Sequence, residues 1–295
     1  MHLIPWNPLE YTRYTAIIIH AYMTLYTAGA YVKQRLDSLE NKFSALNKQF
    51  LCDLEGKGTT ADELLDELTL LPVALRREYQ ESIKKELHEV ESSANGSIRI
   101  RCVFHHLINP LTTFLDYKLL EHLISKLGTV KLKQDMACYV EDVSKFKHET
   151  TVAELMDHWD GIEDQSLNYT ELKMCFGEDP VTCTLEKLDR YRKKFCSRYK
   201  LSELVMILIH LKPGSFVAVW RIPTLLGNEL TESMPKHPKD MFCDEEDVLS
   251  LSLAGKQVYP VTSDEHSGCS GEVKNHACTN NYYHDNYQEA VYIQV

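Results

Sequence analysis

Three features are missing from this sequence, and each absence removes a class of function. No two of the nine cysteines (Cys52, Cys102, Cys138, Cys175, Cys183, Cys196, Cys243, Cys269 and Cys278) stand as C-x-x-C, so the spacings of zinc ribbons and thioredoxin-like redox pairs are absent. No G-x-S-x-G elbow and no G-x-G-x-x-G turn occurs. Gly56-Lys57-Gly58-Thr59 lacks the upstream glycine that would let backbone amides wrap a phosphate. Positive charge is also short: 43 acidic against 32 basic residues give a net −11, which denies the chain the basic field of a non-specific nucleic-acid binder. Met1 to Glu10 shows no charged segment leading into an apolar core. Together with unpatterned thiols this reads as a reduced, cytoplasmic protein.

What charge there is lies unevenly. Glu229 to Val295 holds 12 acidic and 4 basic residues, a balance of −8, which leaves −3 for residues 1–228. A nearly neutral folded part followed by an acidic tail is the expected organisation.

Hydrophobic spacing then divides the chain. Ile18, Tyr22, Leu25, Gly29, Val32, Leu36, Leu39, Phe43, Leu46 and Phe50 alternate steps of four and three, the seam of a long helix that either packs in a bundle or self-associates as a coiled coil. Its uncharged part, Tyr14 to Val32, approaches the length of a membrane span, so membrane anchoring through residues 14–32 is one alternative. Gly56 to Gly58 ends this helix, and Thr60 with Glu63 forms a capping box before Leu64, Leu65, Leu68 and Leu71. Pro72 opens a helix carrying Leu75, Tyr79, Ile83, Leu87 and Val90 on one face. Four more helices are expected between Ile98 and Gly161. The first ends at Asn109-Pro110, the second closes at Gly128 as a left-handed terminator, the third bears the stripe Leu132, Met136, Tyr139, Val140, Val143, Phe146, and the fourth runs from the Thr151–Glu154 capping box to Gly161.

After Gly161 the period changes. Leu172 to Phe176 reads as a strand, Thr184 caps a helix to Tyr199, and two Val/Ile/aromatic runs flank Lys212-Pro213-Gly214-Ser215 as a hairpin. Thr224 to Met234 gives a last helix. The expected fold class is α+β, mostly α: an N-terminal helical region over 1–96, a helical domain over 97–165, a β-α-β-β(-α) module over 166–234, and a disordered acidic tail over 235–295.

Candidate chemistry is sparse. His148-Glu149 has no zincin partner, Asp157, Asp160 and Glu163 fall out of register with a calcium loop, and His105, His106 and His122 lack ligand spacing. No catalytic residue, metal or cofactor is therefore assigned. Two surfaces stand out instead. Lys187, Arg190, Arg192, Lys193, Lys194, Arg198 and Lys200 make a basic run on the helix 184–199. Its preferred reading is a solvated helix face, with an RNA-binding module as the alternative function. In the tail, Tyr282, Tyr283, Tyr287 and Tyr292 sit among acidic residues, and the chain ends Ile293-Gln294-Val295, with Ile293 and Val295 as apolar anchors. Both are forms that peptide-recognition domains read.

Four stretches carry a resemblance: "NPLTTFLDYKLLEHLISKLG" from Asn109, "MACYVEDVSKFKHETTVAEL" from Met136, "CTLEKLDRYRKKF" from Cys183 and "GSFVAVWRIP" from Gly214. Together they are similar to an uncharacterised, lineage-expanded domain family of invertebrate proteins, which often accompanies death-fold or nucleotide-binding innate-immune signalling modules. The resemblance implies a role in protein interaction and transfers no catalytic residue. No kinase, nucleotide-binding or death-domain sequence accompanies it here. The expected function is thus a non-catalytic, adaptor- or scaffold-like protein with protein partners.

Overall fold

The computed structural model describes residues 8–90, 96–162, 169–212, 216–234 and 248–259, with side chains placed from 29 onward except at 86–90, 96–99, 106–109 and 259. Helix α1 (Pro8–Lys57) is followed by α2 (Ala61–Asp66), a 3₁₀ turn (Leu68–Leu70), α3 (Val73–Val90), α4 (Gly96–Leu111), α5 (Lys118–Leu127), α6 (Val130–Glu149) and α7 (Val152–Met156). Strand β1 (Tyr169–Phe176) leads to α8 (Leu185–Arg198), a second 3₁₀ turn (Glu203–Val205), β2 (Ile207–Lys212), β3 (Val217–Pro223), α9 (Thr224–Ser233), β4 (Val248–Leu253) and β5 (Lys256–Tyr259). The class is α+β and mostly α, as the periodicity implies.

The seam of α1 from Val32 onward is used within the chain. Val32, Leu36, Leu39, Leu46, Phe50 and Leu54 are all buried. They pack against α6, with Phe43 and Tyr139 rings 6.0 Å apart, and against α4, with Phe50 and Phe104 rings 5.9 Å apart. Ion pairs Arg35–Glu149 (2.7 Å) and Lys42–Asp142 (2.6 Å) flank the α1–α6 contact. Gly29, an odd residue for a seam, has a reason. A Cβ there would stand 3.2 Å from His158 Nε2, so the small residue admits the histidine that follows α7. No helix among the described residues is long and apolar enough to cross a membrane.

Both capping boxes form as the sequence predicts, at Thr60/Glu63 and Thr151/Glu154. Two glycines act otherwise than expected. Gly128 is extended (φ −71°, ψ 158°), not left-handed; a Cβ would lie 2.6 Å from the Ile124 carbonyl oxygen, so close approach selects glycine. The fourth helix stops at Met156, and Gly161 (φ +89°) lies where a Cβ would meet the Ile209 carbonyl oxygen at 2.6 Å. This lets the Ile162 N–H donate to Ile209 O at 2.8 Å along the β2 edge. Pro110 also lies inside α4, which runs one residue past the expected stop.

The sheet is antiparallel, ordered β2-β3-β1-β4-β5. Here the structure corrects the sequence reading: Val248–Leu253 and Lys256–Tyr259, expected within a disordered tail, are its fourth and fifth strands. The sequence VLSLSL alternates at period two, and Val248, Leu251 and Leu253 are buried, with Leu172 of β1 opposite Leu253. Ala254-Gly255 makes the tight turn, both with positive φ. The remainder of 235–295 lies outside the described residues.

The N-termini of α7 and α8 are tied together. A β-bridge joins Thr151 and Thr184, with Val152 N–H donating to Cys183 O (2.8 Å) and Leu185 N–H to Thr150 O (3.0 Å). That link sets the end of α6 beside the start of α8.

Ending the chain after Met234 removes β4 and with it three buried aliphatic side chains, a loss on the order of 5 kcal/mol. A variant ending at Met234 is expected to melt several degrees below the full chain, whereas one ending at Val261 melts within a degree or two of it, by circular dichroism. Equal melting of the two truncations would contradict the role given to β4.

Candidate functional site

The segment linking α4 to α5, Thr112 to Tyr117, is buried at every residue although it is not helical. A turn fixes it: Thr113 N–H donates to Asp116 O and Asp116 N–H to Thr113 O, both 3.2 Å, while Thr113 Oγ1 accepts from the amides of Leu115 (3.2 Å) and Asp116 (3.0 Å). The Tyr139 hydroxyl of α6 donates to Phe114 O at 2.5 Å, and its ring meets Tyr117 edge-on at 5.6 Å.

This turn aims the Asp116 carboxylate at the edge of β2. Oδ2 accepts the Leu208 N–H at 2.9 Å, and Oδ1 takes a short bond from Arg192 Nη1. The same guanidinium donates to Met206 O (3.1 Å) and, through Nη2, to Asp189 Oδ1. Asp189 Oδ2 faces two lysine nitrogens, Lys147 Nζ at 3.6 Å and Lys193 Nζ at 3.5 Å. One arginine fork thus joins α8, the α4–α5 link and the start of β2, a task for which the planar guanidinium is suited and lysine is not.

Environment sets the charges. Burial works against the Arg192 guanidinium, but Asp116 and Asp189 more than offset it and hold the group charged. Burial would raise the Asp189 carboxyl, yet Lys147, Arg192 and Lys193 hold it below its usual range. Lys147 is different. Burial lowers its pKa, and the attraction of Asp189 does not make up the loss. Burial also pushes the Cys196 thiol, 3.8 Å from Met206 Sδ, up to about 12, which leaves it protonated and inert.

Outside the network opens a cleft of about 770 Å³. Val140, Ser144 and Lys145 of α6 form one wall, Glu186 and Lys193 of α8 the other, and Tyr117 and Lys118 close one end. His148 bridges to Glu186 at 2.7 Å across it. An inner cavity of about 20 Å³ lies behind, lined by Asp116, Lys147, Asp189 and Arg192, room for about one water molecule. The buried Arg192 Nε has no hydrogen-bond partner. A shallower groove of about 520 Å³, lined by Leu70, His122 and Leu204, adjoins the cleft at Lys118 and Glu203.

The basic run of α8 is divided by this arrangement. Arg192 points inward and is buried, so it is no part of a basic surface. Lys187 pairs with Glu178 at 2.7 Å, and Lys193 faces the cleft. Arg190, Lys194 and Arg198 are exposed. Tyr282, Tyr283, Tyr287, Tyr292, Ile293 and Val295 lie outside the described residues. His122 Nε2 donates to Glu67 O at 3.2 Å, just before the first 3₁₀ turn. Among the described residues no three His, Cys, Asp or Glu side chains converge as a metal site.

Sequence reasoning passed over Asp116 and put Arg192 in the basic run of a solvated face, although a signal exists. Asp116 is a lone charge within Leu111 to Tyr117, and Arg192 sits on the apolar stripe Leu185, Leu188, Phe195, Cys196 of α8.

Removing one member of a buried pair strands the other's charge. Asp116→Ala is expected to cost about 3–5 kcal/mol in urea unfolding, and Arg192→Lys should not preserve stability. Lys147→Met should leave stability unchanged or raise it, since Asp189 keeps Arg192 and Lys193. Because the Asp189 pKa is depressed in the folded state, the stability it contributes is complete above its ordinary value, about 3.9. That contribution falls away as the pH drops through the lowered folded value. An Asp189→Asn variant should therefore show a flatter acid limb. An Asp116→Ala variant as stable as the parent would show that the network does not hold the layers together.

The chain matches no protein-family model, no curated protein and no solved structure.

Proposed function

We propose that this chain is a non-catalytic, cytoplasmic protein-interaction protein of the adaptor or scaffold class, and that the cleft between α6 and α8 is where a partner docks. One observation carries the reading. The strongest charge interactions at the floor of the cleft are made between its own residues, so they hold structural layers together, while its walls remain open and chemically mixed. Ala137 and Val140 stand beside Lys145, Glu141 and Glu186, the mixture of apolar centre and polar rim found where proteins meet. A catalytic acid or base needs freedom to exchange its proton with a reactant. Arg192 and Asp189 are instead locked to each other. The resemblance of Asn109 to Pro223 to a signalling-associated domain family supports the same reading, as do the free thiols of Cys52 and Cys138. The acidic tyrosine segment around Tyr283 and Tyr287 and the terminal Ile293 and Val295 are proposed as a second, separately regulated binding element.

Affinity purification of the tagged full chain from native cells tests both parts. Reversing the wall charges with Glu141→Lys and Lys145→Glu is expected to reduce recovery of the partner several-fold with no change in melting temperature. Truncation after Val261, which spares β4 and β5, should abolish only those partners that read the tail. Identical recovery by the parent and the charge-reversed chain would remove the cleft from the proposal.

A further inference from the structure

Lys147 meets the network only at long range. Its side chain is only 15 % exposed, yet its nearest acidic oxygen, Asp189 Oδ2, is 3.6 Å away. That carboxylate is already held by the Arg192 fork and approached by Lys193. The groups facing the amine are Asp189, Arg192 and Lys193 on α8 and Asp116 on the α4–α5 link. Glu141 and His148 of its own helix, and Glu186 and Glu203, line only the outer cleft. Within the network three cations, Lys147, Arg192 and Lys193, face two carboxylates, Asp116 and Asp189, so one positive charge is in excess. The guanidinium cannot release a proton, and Lys193, 52 % exposed, is solvated. The excess is relieved when Lys147 is a neutral amine. Such an amine carries a free lone pair, and it borders both the inner cavity and the open cleft of about 770 Å³.

We infer that Lys147 is a reactive amine that condenses with small aldehydes entering the cleft, preferentially those bearing an anionic group. The Nζ lone pair forms a bond to the carbonyl carbon while the carbonyl π pair moves to oxygen, which takes a proton from solvent in the cleft. The nitrogen gives one of its two protons to solvent. The resulting carbinolamine then loses its hydroxyl, protonated by solvent, as water and its second N–H proton to solvent, leaving a C=N imine with no net oxidation or reduction. When that imine is protonated, an anionic substituent restores charge balance beside Lys193 and Lys145. The direction of the Lys147 pKa, lowered by burial, agrees with this chemistry, because each unit of lowering raises the neutral fraction near neutral pH about tenfold. The inference does not depend on a protein partner occupying the cleft.

The test uses the full-length chain with limiting glyoxylate and cyanoborohydride, which reduces any imine to a stable carboxymethyl-lysine, followed by proteolysis and mass spectrometry. Lys145, 66 % exposed, and Lys193 serve as references on the same cleft. At pH 7 the adduct at Lys147 is expected to exceed that at Lys145 several-fold, and its yield should level off at a lower pH than theirs. In concentrated urea the preference should vanish, because the fold creates it. Labelling of Lys147 no faster than Lys145 in the folded chain overturns the inference, whether the cause is charge or access. A preference that survives in urea overturns it as well, since it would then belong to the local sequence.

Discussion

The structure depends on a single constraint: a guanidinium buried between a helix, a connecting turn and a strand edge. Arg192 cannot become neutral, so everything around it must supply acceptors. Asp116 supplies one oxygen, Asp189 another and the Met206 carbonyl a third. Each acceptor comes from a different element, and each element is thereby fixed relative to the other two. Asp116 has a second duty, accepting the amide of Leu208. An edge strand exposes unpaired amides and carbonyls that invite pairing with other chains. On β2 the Asp116 carboxylate and the Ile162 amide occupy two of those positions. The same carboxylate therefore neutralises a charge and helps cover an edge.

Geometry around this centre follows from local chemistry. Thr113 holds the turn that presents Asp116, Gly161 lets the following chain lie against Ile209, and the Thr151–Thr184 bridge sets α6 beside α8. None of these residues lines the cleft, but together they create its walls. Buried ion pairs are poor sources of net stability compared with apolar packing, yet costly to break on one side. Such a network is consequently better suited to fixing one arrangement of layers than to strengthening the core. The aromatic cluster of Phe176, Tyr191, Phe216 and Trp220, with ring centroids 4.7–6.5 Å apart, does the latter.

Much of the fold was legible in the sequence because burial repeats with the period of the backbone. The stripe Leu132, Met136, Tyr139, Val143, Phe146 is buried as spaced. The capping boxes at Thr60 and Thr151 start helices where the hydroxyl and carboxylate satisfy orphan amides. Reading failed where the reason for a residue was a neighbour distant in sequence. Gly29 answers to His158, 129 residues on, and that does not show in a local pattern. Val248 to Leu253 alternates correctly but stands between segments of tail-like composition, and composition outweighed period there. Ordering such a short strand takes the pairing surface that β1 provides.

The sequence by itself determined the mostly helical α+β class, the termini of most helices and the antiparallel hairpin, because propensity, capping and apolar spacing are properties of adjacent residues. Only the tertiary structure decided that Arg192 faces inward, that Asp116, Lys147 and Asp189 gather around it, and that a cleft opens beside them. Charge burial depends on which oxygens arrive from far along the chain, and Asp116 is 76 residues from Arg192. No local pattern encodes that meeting; folding brings it about.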